Sequence, residues 1–255
     1  MHTRITPENP HGHNRYGFAW ENVSHGTDAH LDFGCYDGAF LASLRSKEAV
    51  RLVGVDRNRE AVRKAQEQFP DLQLIHISRT VPLPFGDGEF SSVSALDVIE
   101  HVDDQIALLH ELSRVLKDGG ALIVTVPGQH LFSFMDIGNL KFRFPKLHRW
   151  HYCRKHSPAE YESRYVSNPN GLVGDISAKK RWHEHFSRAK LERLLKSCGF
   201  TVIDFGGAGF FSRPLKSINL LLAPLRPIRA ALAKVEALDA RLFESAHLFC
   251  VAKKR

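Results

Sequence analysis

The segment LDFGCYDGAF places a carboxylate and two glycines, Asp32, Gly34 and Gly38, where an apolar strand pattern turns into a helix pattern. A second carboxylate, Asp56, ends the next predicted strand, RLVGVD. In an open α/β sheet, ligands bind at the carboxyl ends of the strands, and an acidic residue about 20 residues after a glycine loop accepts hydrogen bonds from ribose hydroxyls. The spacing therefore predicts a site for a cofactor that contains ribose.

The loop does not follow the glycine pattern of dinucleotide-binding proteins. A G-x-G-x-x-G loop would need glycine at positions 34, 36 and 39, and two of these positions hold Tyr36 and Ala39. Asp32 would also repel a pyrophosphate, whereas the same charge attracts a sulfonium or an ammonium group. The loop therefore favours a nucleoside that carries a positive charge.

The elements around the loop alternate between strand and helix patterns. The predicted strands are AHLDFG, RLVGVD, LQLIHIS, SSVSALDV, ALIVTVPG, FTVIDF and HLFCVAKK, and the helices between them include GAFLASLRSK, NREAVRKAQEQF, DQIALLHELSRVLKDGG and SRAKLERLLKSCG. This alternation predicts an α/β fold with a doubly wound, mostly parallel sheet of seven strands joined by right-handed crossovers. We expect the last strand to lie antiparallel.

One domain is predicted to cover residues 29–255, preceded by an N-terminal arm or lid at residues 1–28. Residues 129–186 interrupt the alternation after the fifth strand and are expected to form a lid over the substrate. A helical insertion is predicted at about residues 206–245. Its prolines favour a packed hairpin or a homodimer contact over a helix that lies on a membrane surface.

The composition is that of a globular protein, with 43% hydrophobic and 25% charged residues. Lys and Arg total 35 against 28 Asp and Glu, a formal charge of +7, which permits anionic partners such as RNA. The four cysteines form no C-x-x-C pair, so neither a zinc site nor a disulfide framework is predicted and a reducing cytoplasm is expected. The chain lacks a signal-peptide pattern and a membrane-spanning apolar run, so we expect it to be soluble.

Together these motifs resemble the class I, Rossmann-like S-adenosylmethionine-dependent methyltransferases, in particular a small-molecule, type 11-like family. LDFGCYDG is similar to the family's LDxGCGxG, and VGVD, PLPFGDGEF, ALDVIEHV, LHELSRVLKDGG and VTVPG follow in the family's order. The resemblance is strong over about residues 29–127 and looser over residues 183–205. It implies S-adenosylmethionine as the cofactor and methyl transfer as the activity.

The resemblance also implies which residues contact the cofactor. The loop would surround the methionine end, Asp56 would bind the ribose, and Arg57 would flank the adenine. The full implied set is Asp32, Gly34, Cys35, Tyr36, Gly38, Asp56, Arg57, Ser78, Arg79 and Asp97. Two positions depart from the family: Tyr36 stands at its middle glycine, and the neighbourhood of Ser78 and Arg79 replaces the Asp that often meets the adenine amino group.

The segment ALDVIEHV carries three ligand-type side chains, Asp97, Glu100 and His101. It is similar to the E-x-x-E-H motif by which 2′-O-methyltransferases of small RNAs and some ubiquinone-pathway O-methyltransferases hold magnesium. With His183 or His185 as a further ligand, the resemblance implies a Mg²⁺ or Mn²⁺ ion that would lower the pKa of an acceptor hydroxyl. The alternative interpretation is that Glu100 and His101 only begin the next helix.

The insertion after the fifth strand is rich in aromatic and basic side chains, which suit an acceptor that stacks and offers oxygen atoms. The substrate-binding candidates are His148, Trp150 and Trp182, and the candidate general bases are His101, His151 and His183. The leading hypothesis is O-methylation of a polar small molecule or a saccharide. The alternatives are an RNA-directed 2′-O-methyltransferase, O-methylation of a lipophilic or phenolic molecule, and cofactor binding without catalysis.

Overall fold

A computed structural model describes residues 8–135, 140–166, 184–221 and 226–255 of the chain. Its strands are β1 (Ala29–Phe33), β2 (Arg51–Asp56), β3 (Gln73–His76), β4 (Phe90–Leu96), β5 (Leu116–Pro127), β6 (Phe200–Ala208) and β7 (His247–Lys254). They form one seven-stranded sheet in the order β3-β2-β1-β4-β5-β7-β6. Strands β1 to β5 pair in parallel, and β7 is antiparallel to β5 and β6. The predicted doubly wound sheet with an antiparallel last strand is confirmed.

The helices lie between these strands and in the two insertions. They are α1 (Arg15–Asn22), α2 (Ala39–Ser43), α3 (Arg59–Gln68), α4 (Gln105–Val115), α5 (Leu140–Arg143), α6 (Pro145–Cys153), α7 (Pro158–Tyr161), α8 (Arg188–Ser197), α9 (Ser212–Leu221) and α10 (Arg226–Leu242). Short 3₁₀ turns cover Leu44–Lys47, Ile99–His101 and Leu131–Met135. No helix in the described ranges has the length and apolar character that crossing a membrane requires.

Polar side chains set the point at which the helices begin after the strands. Asn58 Oδ1 accepts a hydrogen bond from the Ala61 amide at 3.1 Å, at the start of α3. Asp104 Oδ1 accepts one from the Ala107 amide at 2.8 Å, at the start of α4. Such caps satisfy amides that have no partner within the helix. They keep the connections after β2 and β4 short, so the last residue of each strand stays at the carboxyl edge of the sheet.

Two apolar layers cover the two faces of the sheet. Helices α4 and α8 bury leucines against one face, and α1, α2 and α3 cover the other. Successive side chains of β1 point to opposite faces of the sheet. Leu31 therefore lies in the first layer, with α4 and α8, while His30 and Asp32 face the second layer, with α1, α2 and α3. The second layer therefore contains buried polar groups that need hydrogen-bond partners.

Helix α1, in the segment predicted as an N-terminal arm or lid, packs into the second layer. Phe18 and Trp20 are buried, and the Phe18 ring lies 5.2 Å from that of Phe249 on β7. The Trp20 indole donates to Ser46 Oγ at 3.3 Å, and Lys47 Nζ lies 3.7 Å from its ring centroid. The apolar face of this helix was too short to reveal its burial from the sequence.

Two predicted boundaries also change. The helix predicted to continue through KDGG ends at Val115, because Leu116 already pairs with Phe90 and begins β5 through a bulge. The helical insertion begins after Ala208, since β6 continues beyond FTVIDF.

The insertion after β5 is closed at its base by backbone hydrogen bonds. The amide of Phe186 donates to Pro127 at 2.8 Å, and the amide of Gln129 donates to Phe186 at 2.8 Å. Phe186 itself is fully buried in the first layer. The residues that enter and leave the insertion are therefore held together at the carboxyl edge of the sheet.

Replacing Trp20 with Ala should lower the free energy of unfolding by about 3–5 kcal/mol, because it leaves a large cavity between α1 and the sheet. Chemical denaturation followed by circular dichroism measures the change. Val50→Ala is the matched control, since Val50 is 81% exposed and should change stability by less than about 0.5 kcal/mol. Equal stabilities of the Trp20 variant and the control would contradict the packing of α1.

Candidate active site

Asp56, the last residue of β2, organises the loop that follows β1. Its Oδ2 accepts a hydrogen bond from the Tyr36 amide at 2.8 Å, and its Oδ1 accepts one from the Asn58 amide at 2.7 Å. The amide of Ile77, just after β3, donates to the Asp56 carbonyl at 2.9 Å. The carboxylate thus lies where the loops after three neighbouring strands meet, at the carboxyl edge of the sheet.

The loop after β1 has a left-handed backbone at three positions: Gly34 with φ 89°, Tyr36 with φ 44° and Gly38 with φ 71°. A Cβ at Gly34 would come within 2.4 Å of Val98, so only glycine fits there. Tyr36 adopts the conformation of the glycine that the resemblance leads one to expect, and its side chain points outward, 58% exposed. The departure at this position changes the side chain and preserves the backbone conformation.

Cys35, which the resemblance assigns to the cofactor site, turns its side chain into the fold. Its side chain is buried in the second apolar layer, and its amide donates to the Val55 carbonyl at 3.1 Å. Burial, with Asp32 and Asp56 nearby, raises the pKa of the thiol. The thiol therefore packs inside the fold instead of surrounding a ligand.

Asp32 ends a chain of buried hydrogen bonds. Ser94 Oγ donates to Asp32 Oδ1 at 2.6 Å, and the His30 ring contacts Ser94 Oγ at 3.0 Å and Ser92 Oγ at 2.8 Å. Burial lowers the pKa of His30 to about 3, so its ring is neutral. Because Ser94 uses its proton toward Asp32, it accepts from Nε2 of His30, and Ser92 donates to Nδ1. Burial and the charges of Asp56 and Asp37 raise the pKa of Asp32 to about 7, against the opposing effect of Ser94.

Asp97 follows β4 in a left-handed conformation, with φ 57°. Its Oδ1 accepts from Thr125 Oγ1 at 2.8 Å, and its Oδ2 is paired with the Arg15 guanidinium and with His247 Nε2, the latter at 3.1 Å. Burial alone would raise the pKa of Asp97, but His247, Arg15 and Thr125 outweigh it and hold this pKa below its usual range. Groups from α1, β5 and β7 therefore meet on one ionised carboxylate.

The predicted metal ligands are not gathered around Asp97 in the described part of the chain. The described residues contain no group of three or more His, Cys, Asp or Glu side chains placed to hold a metal ion, so Asp97, Glu100, His101 and His185 do not assemble into one. Both oxygens of Asp97 already bind other groups, two of them cationic or able to become so. Glu100 is buried, and its Oε1 lies 4.0 Å from His101 Nε2 in the 3₁₀ turn after β4. Among the described residues these side chains therefore do not form an assembled donor set for a divalent ion, and His183 lies outside them.

The remaining predicted cofactor residues lie around Asp56. Arg57 is partly buried directly after β2, and Ser78 and Arg79 are exposed in the loop after β3. This loop is held beside Asp56 by the Ile77 amide. The residues assigned to the adenine therefore lie on one side of Asp56, and the loop after β1 lies on the other.

Two of the three predicted acceptor residues of the insertion, His148 and Trp150, lie in the described part of the chain. His148, on α6, packs its ring against Tyr161 and Tyr165 at centroid distances of 5.6 and 4.9 Å. Trp150 and His151 are exposed on the same helix. Trp182 and His183 lie outside the described residues. His185 lies near enough to His130 that its charge helps to lower the pKa of the His130 ring.

The structure reveals a pocket that sequence reasoning missed. It has a volume of 620 Å³ and lies past the ends of β5, β6 and β7. Its surface is mostly apolar, although half of its lining residues are polar: Gln129, Phe186, Ser187, Arg188, Phe210, Leu242, Phe243, Glu244, Ser245 and Leu248. Arg188 pairs with Glu244 at 3.1 Å within it. The sequence signal for this pocket is that Phe186, Phe210 and Phe243 lie close to the ends of the two insertions.

His247 was also missed, although its position carries a signal. It begins β7, which runs antiparallel to β5. The first residue of an antiparallel last strand reaches the same edge as the last residues of the parallel strands. His247 therefore lies beside Asp97, and the next residue, Leu248, lines the pocket.

Comparison with known proteins identifies the kind of domain. A family model described as a methyltransferase domain matches residues 23–204. The chain is 30% identical over 122 residues to a probable S-adenosylmethionine-dependent methyltransferase of Mycolicibacterium smegmatis, covering 47% of this chain and 46% of that protein. It is 25% identical over 162 residues to the mitochondrial ubiquinone biosynthesis O-methyltransferase of Dictyostelium discoideum, covering 57% of this chain and 50% of that one.

The chain thus spans about half the length of these curated relatives. Among solved structures, an S-adenosylmethionine-dependent methyltransferase from Methanosarcina mazei superimposes with a TM-score of 0.55 at 19% identity, covering 91% of this chain and 95% of that one. At this identity the likeness concerns the fold.

The raised pKa of Asp32 predicts a dependence of stability on pH. In the unfolded chain this carboxyl group has a pKa near 3.8, against about 7 in the fold, so its neutral form stabilises the fold below pH 3.8 and this contribution is lost as the pH rises through 7. Wild type should lose up to about 4 kcal/mol relative to Asp32→Asn between these limits. Urea denaturation at several pH values measures both proteins. If the free energies of unfolding of the two proteins changed in parallel with pH, the pKa of Asp32 would not be raised in the fold.

Proposed function

The chain belongs to the class I S-adenosylmethionine-dependent methyltransferases, since the methyltransferase-domain model matches more than half of it, and from this premise we propose that it methylates a hydroxyl oxygen on an aromatic small molecule. The observation that carries the acceptor class is the phenylalanine-lined pocket past the ends of β5, β6 and β7. The oxygen preference is supported by the O-methyltransferase from Dictyostelium discoideum among the relatives.

The loop after β1 and Asp56 fit the predicted cofactor. Each Asp56 oxygen accepts one amide hydrogen bond, so a second lone pair on each remains to accept from a ribose hydroxyl. Asp32 supplies a carboxyl group that ionises when a cation such as an amino-acid ammonium binds beside it. S-adenosylmethionine bound there supplies a methyl group already activated by its sulfonium. The protein's own task is to orient the acceptor and accept its proton.

The pocket suits an aromatic acceptor better than a saccharide. Its volume of 620 Å³ lies in the range usual for small-molecule sites, about 300–1,000 Å³. Phe210 and Phe243 offer partly exposed rings, on which an aromatic acceptor packs with offset or edge-to-face geometry, and the buried Phe186 lies behind them. The polar lining residues are Gln129, Ser187, Ser245 and the ion pair Arg188–Glu244, whose charged groups already bind each other, so few hydrogen-bonding groups remain for a saccharide. These features support the phenolic alternative over the carbohydrate hypothesis.

Two histidines at the carboxyl edge of the sheet, His247 and His101, are proposed as candidate bases for the acceptor hydroxyl. His247 Nε2 donates to Asp97, which leaves Nδ1 as the accepting nitrogen of the neutral ring and stabilises the imidazolium once a proton arrives. His101 follows β4 at the same edge and is partly exposed. His151 lies on the surface of α6, within the insertion. His247 is preferred, because an ionised partner orients its ring and Arg15 reaches the same carboxylate.

Replacing Asp56 with Ala should weaken binding of S-adenosylmethionine by about 1.5–3 kcal/mol, the range for hydrogen bonds to a charged group. Isothermal titration calorimetry measures the affinity. Asp28→Ala is the matched control, because it removes one exposed carboxylate just before β1, at the opposite edge of the sheet. Unchanged affinity in the Asp56 variant would remove this residue from the cofactor site.

Release of S-adenosylhomocysteine in a screen of acceptors tests the reaction itself. Phenols and catechols should support turnover, whereas saccharides and small RNAs should not, and EDTA should leave the rate unchanged because Asp97 is already paired with Arg15. His247→Asn should lower kcat about 100-fold or more without changing cofactor affinity. His25→Asn, an exposed histidine before β1, is the control. Turnover with saccharides or RNA alone, or loss of activity in EDTA, would contradict the proposal.

A further inference from the structure

Helix α6, in the insertion after β5, presents large apolar side chains to solvent. Phe144, Leu147 and Trp150 are 56%, 51% and 59% exposed. They are spaced three residues apart, so Leu147 and Trp150 lie on one side of the helix, with Phe144 at its N-cap. Exposed large apolar groups in a contiguous set are uncommon in a monomeric protein and mark a surface that contacts something else.

The opposite side of α6 holds the insertion together. His148 Nδ1 lies 3.1 Å from the Tyr161 hydroxyl, and the Tyr152 ring lies 5.1 Å from that of Tyr165. These contacts fold α6 onto α7 and the π-helical turn Glu162–Val166. Among the described residues of the insertion, the exposed side of α6 is therefore not used for packing.

A second exposed apolar group lies near the first helix of the insertion. Phe134, in the 3₁₀ turn after β5, is 59% exposed, and its carbonyl accepts a hydrogen bond from Arg143 Nη1 at 2.8 Å. Arg143 directly precedes Phe144. We call the surface formed by Phe134, Phe144, Leu147 and Trp150 the insertion face.

The segment around this face is strongly basic. Residues 140–156 contain no Asp or Glu, and their Lys and Arg residues are Lys141, Arg143, Lys146, Arg149, Arg154 and Lys155. The Arg154 guanidinium lies 5.0 Å from the Trp150 ring centroid, so its stem follows an apolar surface while its charge stays at the rim. Exposed aromatic and aliphatic groups bordered by cations match the pattern of helices that lie in a lipid interface.

We propose that the insertion face docks onto the surface of an anionic lipid bilayer. The apolar side chains would enter the boundary between headgroups and acyl chains, and the surrounding cations would meet the anionic headgroups. A second copy of the chain fits this face less well, because two such basic surfaces repel each other. RNA also fits less well, since Leu147 offers it neither charge nor a stacking ring.

Co-sedimentation of the full-length protein with vesicles tests the proposal. Wild type should bind vesicles of phosphatidylcholine mixed with phosphatidylglycerol and should bind pure phosphatidylcholine much more weakly. The triple variant Phe144→Ser, Leu147→Ser, Trp150→Ser should bind the mixed vesicles at least about 100-fold more weakly, because it loses three apolar side chains that would be buried in the lipid. Lys146→Gln with Lys155→Gln should lose about tenfold or more.

The matched control replaces exposed groups elsewhere, Val50→Ser and Ile203→Ser together with Lys64→Gln, and should bind as wild type does. Circular dichroism and cofactor affinity show that each variant is folded. The proposal is overturned if wild type binds neither the mixed vesicles nor pure phosphatidylcholine vesicles, or if the triple variant binds the mixed vesicles as tightly as wild type does. Binding of wild type to single-stranded RNA, without binding to vesicles, also overturns the proposal. So does a wild-type dimer that is lost only in the triple variant, if neither wild type nor the triple variant binds lipid.

Discussion

The ionised carboxylate of Asp97 ties together elements that are remote in the sequence. Arg15 reaches it from α1, Thr125 from β5 and His247 from the start of β7. A carboxylate buried without partners would cost several kcal/mol, so the fold holds it only when these groups are in place. The same contacts position α1 against the sheet and bring the first residue of β7 to the edge where the candidate site lies.

A second constraint acts through the backbone of the loop after β1. Asp56 can accept the Tyr36 amide only if the loop turns through left-handed conformations, which Gly34 and Gly38 adopt without strain. Tyr36 adopts one as well, and a side chain in this region costs about 1 kcal/mol or more. Its side chain consequently projects outward, and the loop keeps the shape that its hydrogen bond to Asp56 requires.

The cofactor half could be predicted because its signals are local. Asp32, Gly34, Gly38 and Asp56 stand at strand ends that the apolar pattern already marks, and parallel strands bring these ends to one edge. The partners of Asp97 could not be predicted because they lie far away in the chain: Arg15 is separated from it by 82 residues and His247 by 150. Without them, D-x-x-E-H is a plausible ligand set.

Neighbouring residues of the insertion illustrate the same limit. His148 and Trp150 are similar in kind and nearly adjacent, yet one packs against tyrosines and the other faces solvent. Composition cannot show which of the two side chains is packed and which is exposed. One side of the helix packs against the tyrosines of the insertion, and the other side faces solvent. The insertion returns to the sheet at Phe186, which also lines the pocket. Acceptor binding and membrane docking would therefore both depend on this insertion, yet they use different side chains, so Trp150→Ser and a substitution at the partly buried pocket residue Phe210 separate the two functions.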